Sequence, residues 1–402
     1  MNIRKTISTL LSFIFVVYLL GCEAPKKEKK IWYKGNLHTH SYWSDGNQFP
    51  EMIMDWYKSR GYQFNVLSDH NKLAIGDYWI EVGSQEIYQN AFKDYLNKFD
   101  SSWVDFKLDS GKINVRLKTY EEYKPLFEES GKFLIIQSEE ITDRFENKHV
   151  HMNATNIQSM ISPQGGNSVV EVMQNNIDAV KKQREETGVP MIIHLNHPNF
   201  HYSVTLEDMI QIRGERFFEV FNGHPQVHNL GDSIHIGIEE MWDLVNIAYS
   251  KENKPLLYGL ATDDSHNYHI MNSQKSNPGR GWVMVQADAL TAESLINAME
   301  EGKFYSSSGV TLSNIELEGN RLSVEVEAES GINYSISVIG CNKEDIETKV
   351  IETISGPAAS FTLDENINFV RMKVVSTKLH PNPIEDLIFE MAWTQPVTFA
   401  KE

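Results

Sequence analysis

Histidine, aspartate and glutamate recur along this chain in short bursts, each following an apolar run of about strand length. Gly35-Asn36-Leu37 leads into His38-Thr39-His40, Phe64 to Leu67 into Ser68-Asp69-His70, and Phe133 to Ile136 into Glu139-Glu140. Val150 leads into His151, and Met191 to Ile193 into His194-Leu195-Asn196-His197. Phe217 to Phe221 ends in Asn222-Gly223-His224, and Leu256 to Leu260 runs into Asp263-Asp264-Ser265-His266. Histidine is the commonest metal-binding side chain and binds as neutral imidazole. A lone histidine is more often an ordinary core or surface residue, but repetition at successive strand ends changes the reading. His38 and His40 stand two apart, so on a strand both face the same side. Asp264 and His266 repeat that spacing. Carboxylates that bridge cations, with imidazoles completing each coordination sphere, are what a multinuclear hydrolytic centre needs.

The elements that must position these residues alternate. Helical periodicity over Pro50 to Arg60, Ser168 to Arg184 and Thr291 to Glu301 separates the apolar runs, with acidic first turns and basic or glycine endings. Strands alternating with helices imply a largely parallel sheet. Polar residues at many strand ends fit a β/α barrel, whose strand ends converge on one mouth. Residues 72–132 interrupt this pattern with a long aromatic and charged insertion that reads as mostly helical. It follows a strand end, so it either forms a lid over the mouth or merely covers the rim. From 312 to 402 the texture becomes short alternating strands such as RLSVEVEAES and NFVRMKVVST, which read as a β-sandwich-like domain without a catalytic cluster.

The chain has 402 residues, enough for two or three domains, and 41% hydrophobic residues, enough for real cores. Its formal net charge of -18 argues against a nucleic-acid partner, which normally meets a basic face. The first 21 residues read as a lipoprotein signal peptide: Arg4 and Lys5, a short apolar run from Leu10 to Leu20, then Gly21-Cys22. A small residue before cysteine resembles the bacterial lipobox. That implies a lipid on Cys22 as the membrane partner and a location in the bacterial cell envelope, periplasmic or on the outer surface. The second of the two cysteines, Cys341, is then left without a disulfide partner. Residues 22–30 read as a charged tether.

Six motifs in order resemble the PHP family, named for polymerase and histidinol phosphatase domains. They are H-T-H-S-x-x-S-D-G from His38, S-D-H-N from Ser68, E-E-I-T from Glu139, H-M-N-A from His151, N-H-P-N from Asn196 and D-D-S-H-N from Asp263. E-V-F-N-G from Glu219 and F-Y-S-S-S-G from Phe304 are similar to the carbaryl-hydrolase-like branch. The resemblance implies an α/β fold, a distorted seven-stranded (βα)7 barrel over residues 31–311 followed by the β-sandwich-like domain. It also implies a di- or trinuclear centre of Zn, Mn or Fe. His38, His40, Glu140 and Asp264 would hold the first ion; Glu140 would bridge to a second held by His151 and His197; Asp45, His70 and His266 would hold a third. Asp45 stands where some relatives carry histidine. Glu140 rather than Glu139 directly precedes the apolar-Thr pair, and Asp264 rather than Asp263 has the D-x-H spacing. His194, His201, His224 and His269 read as neighbours of the ligands or rim residues.

A metal-bound water, acidified by two cations, is the expected nucleophile. Arg280, between Gly279 and Gly281, is either a phosphate clamp or an arginine in a surface turn. The leading function is a metal-dependent phosphatase or phosphodiesterase acting on a small or surface-derived phosphoester. Hydrolysis of a carbamate, ester or amide, an exonuclease-type phosphodiesterase, and a non-enzymatic surface binding lipoprotein with a structural metal cluster are the alternatives.

Overall fold

A computed structural model describes residues 31–214 and 216–399. The signal peptide, Cys22 and the tether lie outside the described residues. Ile31–Glu402 forms one compact unit. Among the described residues no helix is long and apolar enough to cross a membrane.

The chain opens with β1 (Trp32–Asn36), α1 (Pro50–Ser59) and β2 (Phe64–Leu67). Pro50 starts α1, where its missing N–H leaves nothing unsatisfied, and the helix buries Ile53, Met54 and Tyr57. The insertion follows as β3 (Trp79–Glu81), α2 (Glu86–Trp103), β4 (Phe106–Asp109), β5 (Lys112–Arg116) and α3 (Tyr120–Phe127). It is therefore not mostly helical: β3, β5 and β4 form a small antiparallel sheet. Ser110 and Gly111 both take positive φ, 52° and 82°, which makes the tight turn that joins β4 to β5.

Next come β6 (Leu134–Phe145), β7 (Lys148–Thr155), α4 (Val169–Thr187), β8 (Ile192–Leu195), α5 (Leu206–Gln211) and β9 (Phe217–Asn222). Then α6 (Ile238–Lys251), β10 (Tyr258–Thr262), β11 (Trp282–Gln286), α7 (Ala292–Glu300) and β12 (Phe304–Ser307) complete this part. The hydrogen-bonded order β10-β9-β8-β7-β6-β2-β1 is parallel except at β7, which runs antiparallel to β6 and β8. A short hairpin joins β6 to β7, which reverses the direction of the chain there. The two ends of this run meet at one bridge, Thr39 with Ser265, where His40 N–H donates to Ser265 O at 3.0 Å. No closed barrel ladder exists among the described residues; β1 instead continues into β11, antiparallel.

The last strands are β13 (Leu312–Glu318), β14 (Arg321–Val326), β15 (Tyr334–Asn342), β16 (Lys349–Ser355), β17 (Ala358–Thr362), β18 (Ile367–Leu379) and β19 (Phe389–Thr394). β13, β14 and β17 form a separate sheet. Leu312, Leu322 and Val324 from it pack in one core with Ile336, Val338, Met372 and Val374 of β15 and β18. Two sheets thus face each other over an apolar layer, as the alternating texture predicts. The larger of them is continuous with the first part, through β12 paired to β19.

Candidate metal centre

The donors converge where the strands end. His38 and His40 lie just past β1, His70 past β2, His197 past β8, and Asp264 and His266 past β10. Glu140 and His151 sit within β6 and β7, because that hairpin runs on beyond the mouth. Asn71, His197 and Asp264 have positive φ of 49°, 21° and 48°. Left-handed backbone at non-glycine residues is costly and collects at functional sites. Gly46 is required for a different reason: a Cβ there would lie 2.4 Å from His40 O.

His38 Nε2, His40 Nε2, Glu140 Oε2 and Asp264 Oδ1 crowd around one point. The imidazole nitrogens are 3.1 Å apart, the contacts to Glu140 are 3.4 and 3.2 Å, and both contacts to Asp264 are 3.3 Å. Donors about 2.0–2.1 Å from a tetrahedral ion lie about 3.3 Å from one another. The five spacings that involve an imidazole therefore suit donors to a cation. Glu140 Oε2 and both nitrogens of His151 are buried without a well-aligned hydrogen bond, whatever polar atoms stand near them. Such orphaned polar atoms are expensive unless something else satisfies them.

Around this core the sharing differs in part from the implied arrangement. Glu140 Oε1 lies 3.0 Å from His151 Nδ1 and 3.6 Å from His197 Nε2. The donor groups that close on single points here are His70 with Glu140 and His151, His38 with His197 and Asp264, and His38 with His194 and Glu219. His70 reaches both ways: Nδ1 is 2.9 Å from Glu140 Oε2 and Nε2 is 3.5 Å from Asp45 Oδ1. Asp45, His70 and His266 do gather as implied, with His40 beside them; His266 Nε2 is 3.3 Å from Asp45. All nine residues singled out from the sequence fall in these groups.

The electrostatics follow from burial opposed by close charges. Burial pushes Glu140 and Asp264 towards protonation, but the surrounding histidines outweigh it and hold both well below the usual carboxylate range. Burial depresses His70, yet Glu140 and Asp45 together raise it to about 11. Carboxylates that stay anionic, packed against imidazoles that would otherwise take up protons, form a pocket suited to cations.

Two residues without a predicted ligand role complete the inner wall. Glu219 Oε1 lies 2.6 Å from His38 Nδ1 and accepts from Thr262 Oγ1 at 2.7 Å. Its Oε2 accepts from His197 N–H at 2.9 Å and Asn222 Nδ2 at 2.7 Å. Glu219 thus fixes His38 with its proton on Nδ1 and its Nε2 lone pair facing the donors. His194, fully buried, stands 3.6 Å from the same carboxylate. A glutamate inside the otherwise apolar run FFEVF is the sequence signal that marks Glu219, since a buried charge needs partners.

Two expectations need correction. Arg280 is not available as a phosphate clamp: it is fully buried, and its guanidinium donates to the carbonyls of Gly223, Lys275, Asn272 and Asn382 at 2.6–3.0 Å. Four donors spent on backbone carbonyls and a fifth on Asn382 Oδ1 at 3.1 Å leave none for a substrate. The surface-turn reading fails as well, since the side chain is interior. Glu139 points away from the cluster, as strand alternation requires, but into the interior. Its Oε1 accepts from Ile161 N–H at 2.6 Å, and burial raises it to about 7. His224 and His269 flank the mouth: His224 packs edge-on against His266, and His269 Nε2 meets Asn47 O at 2.8 Å. His201 is exposed beside His149 and Phe200.

No family model matches the chain, and no curated protein matches it. Among solved structures, a two-domain protein from Bacteroides vulgatus containing a predicted PHP-like metal-dependent phosphoesterase is 13% identical. That match covers 94% of this chain and 98% of the other, with a TM-score of 0.42. A protein from Bifidobacterium adolescentis assigned as a metal-dependent phosphoesterase is 11% identical over 66% of this chain and 94% of its own, with a TM-score of 0.28. An amidohydrolase from Chromobacterium violaceum, with bound sulfate and no metal, is 10% identical over 58% and 87%, also at 0.28. Likeness at this level fixes neither family nor function.

Proposed function

We propose that the chain is a metal-dependent hydrolase that holds two or three divalent ions, Zn, Mn or Fe, and cleaves a phosphoester. The observation that carries this reading is the cluster of His38, His40, Glu140 and Asp264, in which both imidazoles stand 3.2–3.4 Å from each carboxylate and both carboxylates are held anionic. Ions bound there would acidify water towards neutrality and stabilise charge on the reacting ester. The chain's own residues do the positioning. Glu219 orients His38, and Thr142 Oγ1 meets His70 Nδ1 at 2.5 Å. Glu140 and Asp264 each turn one oxygen to His38 and His40 and the other towards His151 or His197, so neighbouring positions share carboxylates. Shared carboxylates suit in-line phosphoryl displacement, which needs adjacent cations.

Carbamate, ester or amide hydrolysis is the second reading, and one observation favours it. Among the described residues the ion-pair partners of Asp45, Glu140 and Asp264 are all histidines, so no lysine or arginine is built in among the donors to meet a phosphate. The test is turnover of p-nitrophenyl phosphate, bis-p-nitrophenyl phosphate and phenyl acetate by chelator-stripped and reloaded protein. Turnover of a phosphoester should vanish on stripping and return with metal. Activity on phenyl acetate alone selects the second reading, and full turnover by protein verified free of metal refutes both.

A further inference from the structure

Asp45 is the one exposed carboxylate of the cluster, with 59% of its side chain open to solvent, whereas those of Glu140 and Asp264 are 1% and 6% exposed. An exposed side chain is not held by packing of its own, so its position depends on the backbone that carries it. On the inner side that loop is tied to Asp69, which accepts from Ser41 N–H at 2.8 Å, Ser41 Oγ at 2.7 Å and Ser44 Oγ at 2.6 Å. On the outer side the tie is Trp43, two residues before Asp45 and only 2% exposed. Both the ring stacked on its indole and the acceptor of its indole N–H come from the insertion. Its indole stacks on Tyr78, with centroids 5.2 Å apart and planes at 18°. Its Nε1–H donates to Lys118 O at 3.2 Å. It shares a core with Val82, Val115 and Leu117. Tyr78 is capped in turn by Lys72, whose Nζ lies 4.1 Å above the ring and donates to the hydroxyl at 2.9 Å.

We infer that the insertion is the outer half of the third ion site. Trp43 and Tyr78 are positioning residues that hold the loop so that Asp45 meets His70 and His266. The insertion is on this account neither a lid nor mere rim cover; it sets the affinity of the outermost ion. The inference rests on the metal-centre reading above, and it predicts an effect on one ion only. The two inner positions draw on His38, His40, Glu140, His151, His197 and Asp264, and among the described residues no hydrogen bond, ion pair or ring contact joins any of them to Trp43 or Tyr78.

The experiment measures Zn²⁺ stoichiometry and affinity by elemental analysis across a buffered metal series, on the full chain and on Tyr78→Ala and Tyr78→Phe. Tyr78 is 36% exposed, so its removal leaves the fold intact. The native chain should bind three ions. Tyr78→Ala should keep two tightly and bind the third roughly 10- to 100-fold more weakly, the range seen when a residue supporting a ligand is lost. Tyr78→Phe, which keeps the stacked ring, should restore the third ion. Unchanged affinity for all three ions in Tyr78→Ala overturns the inference, as does equal weakening of all three. A native chain that binds only two ions overturns it while leaving the hydrolase reading in place, and one that binds none overturns both.

Discussion

Two adjacent glutamates at one strand show how much the direction of a side chain decides. Glu140 faces five histidines and stays anionic; Glu139, one residue earlier, faces Ile161 and is raised to about 7 by burial. Alternation along a strand makes this split unavoidable. Glu140→Gln should therefore empty at least one ion position and lower kcat by several orders of magnitude, because the nucleophile depends on the ions. Glu139→Gln should keep its metals, and its effect should appear in stability instead. The folded value of Glu139 lies above its ordinary value, so between those two values the folded chain keeps a proton that the unfolded chain has lost. Its contribution is complete at acid pH and is lost as pH rises through about 7. The melting temperature of Glu139→Gln relative to the native chain should thus rise from pH 5 to pH 8. Loss of metal from Glu139→Gln with retention in Glu140→Gln would show that the two roles are exchanged.

Individual elements were legible where periodicity was long, and illegible where tertiary contacts decided. The helices over Pro50–Ser59, Val169–Thr187 and Ala292–Glu300 fall where the apolar spacing puts them. Ligand types recurring at strand ends marked the cluster, while the choice of Asp45, of Glu140 over Glu139 and of Asp264 over Asp263 came from the resemblance of the motifs, and all nine residues lie in the clustered groups. β7 was readable as a strand, but not as an antiparallel one, because direction is set by a short hairpin and not by the alternation within the strand. The insertion's sheet was hidden by short strands in a stretch rich in helix formers. Arg280 was misread because its flanking glycines suggest an open loop, whereas the loop folds back over it. Asp263 accepts the N–H groups of Gly279, Arg280 and Gly281 at 2.6–2.9 Å, and the guanidinium then fills the space so enclosed. Arg280→Lys should remove at least two charge-assisted hydrogen bonds, roughly 3 kcal/mol of stability at 1.5–3 kcal/mol each. It should leave KM for a phosphoester unchanged, since the native side chain has no donor to offer. A selective rise in KM for anionic substrates over phenyl acetate, with the melting temperature preserved, would reinstate the clamp.

At the scale of the whole molecule, the strands after residue 311 are more than an appendage. β19 pairs with β12 and so extends the sheet that carries the centre. Gln395 reaches back to β10, donating to Gly259 O at 3.0 Å and accepting its N–H at 2.8 Å. Arg371 of β18 forms a buried two-point pair with Asp243 of α6, at 2.7 and 2.9 Å. Glu385 accepts from Asn229 N–H at 3.0 Å, in the loop after β9, and Asn382 accepts from Arg280. The texture change near Gly309 suggests that the two parts are separable and that truncation after Val310 would harm solubility more than chemistry. These contacts argue for a larger effect. Truncation would expose the edge of β12 and the apolar side chains of α6 that pack on Cys341 and Phe369, and would remove the Arg371–Asp243 pair. Domains of ordinary stability have about 5–15 kcal/mol in total. The pair is one of several ties lost together. A chain ending at Val310 should therefore fail to fold, and its metal uptake and turnover should disappear with its cooperative thermal transition. Circular dichroism melting of the soluble fraction, with metal content on the same sample, decides the matter. A truncated chain that melts cooperatively and keeps its ions would show that the first part stands alone, and that the bracing through Arg371, Asn382 and Gln395 is dispensable.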